Sequence, residues 1–319
     1  MYLVKGGWKN ETARRFHALF SHPLWNIGIV EKPIQAFLEP ERIGEVHWLP
    51  PLPRGRYLAD PFGVLRGGKT HVLCEELDYR TNKGIIVTFQ LSDGFVPSTR
   101  EPVIVEPTHL SYPYLIEDGG RLFCVPENFS TTEISLYTTD EFPRGWRRVA
   151  VLIQGVRAHD SQVFHHDGRW WLCYTDVDKG PFDKLFLWHS EHLTGPWRPH
   201  ARNPVKTDAK SARGAGTPFL HRGQLYRPAQ DCSRTYGRRI MINRVLTLTP
   251  SEFEEETAAV VGPLRRGPYR DGIHTLSGVG NMTLVDGYRV TFDKSEFGRA
   301  LDSERRRFLG ALTPLWHRS

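Results

Sequence analysis

HDSQVFHHDGRWWLCYTD, residues His159 to Asp176, decides how this chain is read. It is two apolar strands around an Asp-Gly pair, the standard two-residue hairpin signal. Residues equally distant from a hairpin turn lie side by side. Asp160 and Asp176 are each eight positions from Gly168, so both fall at the open end. Four other stretches repeat the pattern: LADPFGVLRGGKTHVLCEE (58–76), LSYPYLIEDGGRLFCVPE (110–127), GAGTPFLHRGQLYRPAQD (214–231) and GVGNMTLVDGYRVTFD (278–293). Aligned on Gly68, Gly120, Gly168, Gly223 and Gly287, they recur every ~48 to ~64 residues, near the ~50-residue period of kelch-type propeller blades.

Further short strands lie between the hairpins, such as GIIVTFQL, ISLYTT and KLFLWHS. That makes about four strands per unit, and radial repetition hides their edges. The expected fold is all-β: a five-bladed β-propeller of four-stranded antiparallel blades, one domain over 1–319. The blades fall near 45–95, 96–145, 146–200, 201–255 and 256–319, and an N-terminal strand within 23–38 closes the ring. A two-sheet sandwich is the rival, with shorter and less regular turn spacing. Only NETARRFHALF (10–20) and PSEFEEETAAV (250–260) read as helical, the second because Pro-Ser precedes acidic residues.

Composition sets outer limits. The chain has 319 residues, 39% hydrophobic and 12% aromatic, enough for a large ordered core. The net charge of +6 comes from scattered arginines, without the basic stripe or motif of a nucleic-acid binder. A mild positive field favours anionic ligands. Cys74, Cys124, Cys173 and Cys232 form no CxxC pair, so neither zinc nor a disulfide framework is expected. No stretch has the apolar length of a membrane span, and the N-terminus lacks a signal-peptide pattern. These features point to a cytoplasmic location; a monomer is expected.

In a propeller the inner strands line the axis, so all five open hairpin ends meet there. Asp60 and Tyr112 sit eight before their glycines, as Asp160 does. Glu75, Glu76, Glu127, Gln230 and Asp231 lie seven or eight after theirs. Period-2 alternation lets only one of Glu75 and Glu76 point inward, and Glu76 is the expected one. Asp176 and His274, in DGIHTLS, complete the set. Clustered carboxyls raise one another's pKa, as glycoside cleavage requires. Arg213, Arg227 and Arg234 are positioned to grip an anion or to neutralise an aspartate. Tyr112, Trp170, Trp171 and Tyr236 are candidate stacking rings, with Trp170 and Trp171 better suited to the core. His109 and His159 stand near the mouth.

ADPF (59–62), the 159–176 hairpin and GIHTL (272–276) resemble the five-bladed propeller glycosidases of glycoside hydrolase families 43, 62, 32 and 68. More specifically, YLADPF (57–62), SYP (111–113), SARGAG (211–216) and LYRPAQDCSRTYG (225–237) resemble the N-terminal domain of plant glucosamine inositolphosphorylceramide transferases and its bacterial relatives. The first resemblance implies Asp60 as base or nucleophile and Asp160 as the aspartate that tunes the acid. It also implies a fourth-blade Glu as general acid, where this chain has Gly214 and Ala215. Glu127 is then the candidate acid. Glu76, Tyr112, Asp176, Arg213, Arg227, Gln230, Asp231 and His274 would contact substrate. No cofactor or catalytic metal is expected; a calcium ion or water near His274 is the exception that the resemblance allows. The expected function is cleavage or transfer of a glycosidic bond in a carbohydrate or glycoconjugate, including an anionic or phosphorylated sugar. The rival is a non-hydrolytic sugar-binding module serving a glycosyltransferase.

Overall fold

A computed structural model of the chain describes residues 21–264 and 266–292. The helix expected over 10–20, residue Asp293 and the ends of the 1–319 domain lie outside them. Trp25–Tyr288 forms one compact unit, which carries the features described below.

Among the described residues twenty-one strands form five antiparallel sheets. β1 (Ser21–Val30) and β2 (His47–Trp48) come first in the chain but complete the last blade. Blade one is β3 (Arg56–Arg66), β4 (Lys69–Asp78), β5 (Lys83–Leu91) and β6 (Glu101–Ile104). Blade two is β7 (Ser111–Asp118), β8 (Arg121–Glu127), β9 (Glu133–Thr138) and β10 (Arg147–Gln154). Blade three is β11 (Ala158–His166), β12 (Arg169–Asp176), β13 (Lys184–Ser190), β14 (Arg198–Pro199) and the short β15 (Lys206–Thr207). Blade four is β16 (Phe219–His221), β17 (Gln224–Gln230), β18 (Ile240–Leu248) and β19 (Phe253–Val261). β20 (Leu276–Val279) and β21 (Met282–Phe292) form the inner half of blade five. β1 pairs with β21, so the first and last described strands share one sheet and the ring is closed as expected.

Two expectations fail on local chemistry. The stretch 250–260 is mostly strand β19, paired with β18 from Leu248↔Phe253 to Ile240↔Val261. Its alternation is of period two at the end that matters: Ala259 and Val261 are buried while Val260 is exposed. Glu254 and Glu256 here are exposed and charge a blade's outer edge, which discourages further strand pairing, while Glu255 between them turns inward. The fifth hairpin turns at Gly280–Asn281, because Val279 pairs with Met282. Gly287 lies inside β21, where a Cβ would come 2.6 Å from Trp48.

The paired tryptophans follow the strand period. Trp170 faces the core shared by Tyr114, Val125 and Leu172, whereas Trp171 faces the core of Cys173, Leu185 and Ala212. Both are buried. The four cysteines are free thiols. Among the described residues no helix is long and apolar enough to cross a membrane.

Candidate active site

The inner strands of blades one to three each break register at the same place. The shifts fall between Ala59 and Phe62, between Ser111 and Tyr114, and between His159 and Gln162. At each bulge one residue takes a positive φ: Asp60 (53°), Tyr112 (44°) and Asp160 (47°). An L-residue rarely adopts this conformation, and here it re-aims three side chains that a regular strand would direct elsewhere. These are the three residues eight before their turn glycines.

Asp60 bridges blades. Its Oδ2 accepts the Tyr112 N–H at 3.3 Å and its Oδ1 accepts the Thr275 hydroxyl at 2.9 Å. Its own N–H donates to Asp286 Oδ2 at 3.1 Å. Tyr112 is fully buried, and its hydroxyl accepts the Gly216 N–H at 2.6 Å, tying blade two to blade four. Asp160 N–H donates to Glu127 Oε2 at 2.7 Å. Asp160 Oδ2 accepts from Gln230 Nε2 at 2.7 Å and from the Arg213 guanidinium. Arg213 lies between the rings of Phe182 and Tyr236, 5.5 and 4.9 Å from their centres. His274 Nδ1 meets Asp286 Oδ2 at 2.6 Å while its ring stacks on Trp25 with centroids 3.8 Å apart.

These groups are buried, yet they differ in charge. Burial raises Asp60 to about 7, against the opposing pull of His274 and aided by Asp286 and Asp160. Glu75 is pushed well above the usual carboxylate range by burial and then by Asp60, Glu127, Asp286 and Asp160. Burial likewise raises Asp160, partly offset by Arg213. For Glu127 burial is overcome: His159 Nδ1 at 3.0 Å, Arg213 and the Asp160 N–H hold it well below the usual range. The cluster therefore contains carboxyls that keep a proton beside one that does not.

Residues 53–267 match the family described as glucosamine inositolphosphorylceramide transferase 1, N-terminal. The chain belongs to this family. The rice relative (Oryza sativa subsp. japonica) of that name is 34% identical over 205 residues, covering 62% of this chain and 27% of the relative. The Arabidopsis thaliana relative is 31% identical over 252 residues, 74% of this chain and 32% of the relative. The chain thus spans about a third or less of the curated relatives it matches. Among solved structures it is similar to the α-L-arabinofuranosidase PaAbf62A of Podospora anserina. The TM-score is 0.55 at 11% identity, over 74% of this chain and 92% of that one. The family 117 glycoside hydrolase Zg3597 of Zobellia galactanivorans gives 0.52 at 16%, over 73% and 84%. These likenesses establish the propeller fold.

In this N-terminal domain family member the fourth blade has no room for an acid at the expected place. A Cβ on Gly214 would stand 2.5 Å from the Asp160 carbonyl oxygen, and Ala215 is fully buried in apolar packing. The structure also redistributes the expected contacts. Glu75, not Glu76, faces the cluster; Glu76 turns to Arg56 and Arg100, each at 3.2 Å. Arg227 grips Glu255 with two nitrogens and donates to the carbonyls of Ser211 and Ala212, so it faces away from the axis. Asp231 is held by Ser233 and by Arg239 at 2.6 Å. Asp176 caps its own turn through the Asp178 N–H and pairs with Lys179. Both aspartates are structural in these contacts. Arg234 is exposed. Asp60, Tyr112, Glu127, Asp160, Arg213, Gln230 and His274 do come together.

Asp286 is the residue that sequence reasoning missed. Its Oδ1 accepts the N–H groups of His274 and Thr275 at 3.0 and 2.9 Å. Aligning the fifth hairpin on Gly280 places Asp286 opposite Thr275, and that was the available signal. Asp60, His274 and Asp286 are the only group of three among the described residues that could converge on a cation. They do not fit one well: Asp286 spends both oxygens on N–H donors, and the 2.6 Å His274 contact is itself a hydrogen bond.

Proposed function

We propose that the axial cluster binds a sugar and moves a proton at its glycosidic bond, with Asp60 as base or nucleophile and Glu75 as acid. The raised proton affinity of two buried carboxyls carries this reading. Acid–base cleavage needs a carboxyl that still holds a proton near neutrality and a second group able to act as base or nucleophile. Asp60, at about 7, is partly ionised near neutrality, while burial and its acidic neighbours hold Glu75 well above the usual carboxylate range. Glu127 suits the acid role poorly because His159 and Arg213 keep it ionised. It instead receives the Asp160 N–H and so helps set the position of Asp160 and Arg213.

The name of the plant relatives supports a glucosamine-containing or inositol-phosphate-linked glycoconjugate as the substrate class. Tyr236 offers a ring beside the cluster and keeps 42% of its surface exposed, whereas Trp25 is buried against His274. A phosphate would meet the unused nitrogens of Arg213 rather than Arg227, which is fully engaged. The test is a panel of aryl furanosides and pyranosides, glucosaminides included. Asp60→Asn should lower turnover ~10² to 10⁴-fold while leaving sugar binding intact. Wild-type turnover in that variant refutes the assignment.

One observation favours a second reading, a sugar-binding module that cleaves nothing. The fourth-blade acid of the propeller glycosidases is excluded by the packing of Gly214 on Asp160. Calorimetric sugar binding, with no turnover of any glycoside and no effect of Glu75→Gln, would establish that reading instead.

A further inference from the structure

Glu75 Oε1 is buried and has no hydrogen-bond partner among the described residues. His109 Nε2 lies 3.3 Å from it, out of line for a hydrogen bond. The other ring nitrogen is committed: the Gly84 N–H donates to His109 Nδ1 at 3.0 Å. A nitrogen that accepts a hydrogen bond carries no proton, so the neutral imidazole holds its hydrogen on Nε2, facing Glu75. The position is also sterically set. A Cβ on Gly84 would stand 2.5 Å from Glu75 Oε1, 2.5 Å from the Leu110 carbonyl and 2.9 Å from His109 Cε1.

We propose that the Gly84 N–H and His109 together decide where the proton of this pair resides, making His109 a fixed-tautomer positioning residue for Glu75. The inference rests on the reading of Glu75 as the acid. An imidazolium at His109 would point an N–H at the Gly84 N–H, two donors face to face. The backbone amide therefore disfavours the charged ring and leaves the proton on Glu75. When Glu75 gives that proton to the leaving oxygen, its O–H bond breaks and a carboxylate remains. A small turn of the two side chains, 3.3 Å apart at rest, then brings His109 Nε2–H into line to donate a hydrogen bond to the carboxylate, and no proton passes to or from the ring.

A neighbouring pair shows the opposite outcome. His159 and Glu127 meet at 3.0 Å, and Glu127 is held ionised. Phe129 separates the two pairs, with its ring centre 5.5 Å from each histidine. His109 lies below its ordinary pKa through burial and through His159, with Glu127 acting against the change. The titratable groups that bear on Glu75 are His109 at 3.3 Å, the carboxyls of Asp60, Glu127, Asp286 and Asp160, and the Tyr57 hydroxyl.

The experiment follows the resting protein by NMR, with ¹⁵N-histidine and ¹³C-glutamate labels, in the full chain without substrate. His109 is expected to keep the Nε2–H tautomer down to about pH 5, where an ordinary histidine is charged. His109→Phe removes the donor to the carboxylate and should raise the Glu75 midpoint by about one pH unit; His109→Gln, which retains an N–H donor, should restore most of it. An imidazolium at His109 near neutral pH, or one Glu75 midpoint shared by wild type and His109→Phe, overturns the proposal. Because these readouts need no turnover, a protein that titrates as expected but cleaves no glycoside would sink the proposed function alone.

Discussion

Asp60→Asn tests the charge state of the cluster through stability as well as through turnover. A carboxyl raised from 3.8 to about 7 binds a proton in the native protein that the unfolded chain has released. Its stabilising contribution is complete below the unfolded value and disappears as pH rises through the folded one. From about pH 5 to about 7 that is roughly two units at ~1.4 kcal/mol each, or about 3 kcal/mol, after which the curve flattens. Glu75 adds to the same trend, whereas Glu127, held low, loses its contribution only on the acid side of this window. Asparagine keeps the size of Asp60 but cannot titrate. Whatever it changes in the hydrogen bonds to Thr275 and Tyr112 enters as a constant offset. Urea unfolding at several pH values should therefore show wild type losing about 3 kcal/mol more than Asp60→Asn between about pH 5 and about pH 8. Parallel stability curves for the two proteins would refute the raised Asp60 and with it the proposed base.

Tyr112→Phe leaves the Gly216 N–H without its 2.6 Å acceptor in a fully buried place, so chemical denaturation should show a loss of about 1–3 kcal/mol. A loss below about 0.5 kcal/mol would mean that the tie between blades two and four is not maintained in solution. Arg227→Met leaves the buried Glu255 with Lys206 as its one cation, at 2.9 Å, so the stability cost should stay below the ~3–5 kcal/mol of an unpaired buried charge, and sugar affinity should stay within about twofold of wild type. A specific loss of sugar binding in a variant that remains folded would return Arg227 to the site.

The hairpins, their turn glycines and the matched polar residues were legible because they are local. A turn at Asp167–Gly168 needs two positive φ angles, and those residue types supply them. Counting eight residues back from each glycine found Asp60, Tyr112 and Asp160, since strand pairing converts equal distance into adjacency. The same counting failed in blade five, where an Asp-Gly pair inside β21 imitates a turn and concealed Asp286. It also picked Glu76 where Glu75 faces inward, because the bulge alters which neighbour points to the axis. What only the tertiary structure decided is charge. Asp60, Glu75 and Glu127 are ordinary carboxylates in sequence, and their differences come from partners far away in the chain. Asp286 reaches Asp60 across 226 positions, Arg213 reaches Asp160 across 53, and His109 meets Glu75 from the next blade. Proton affinity depends on burial and on the field of such neighbours, and neither exists until the ring has closed.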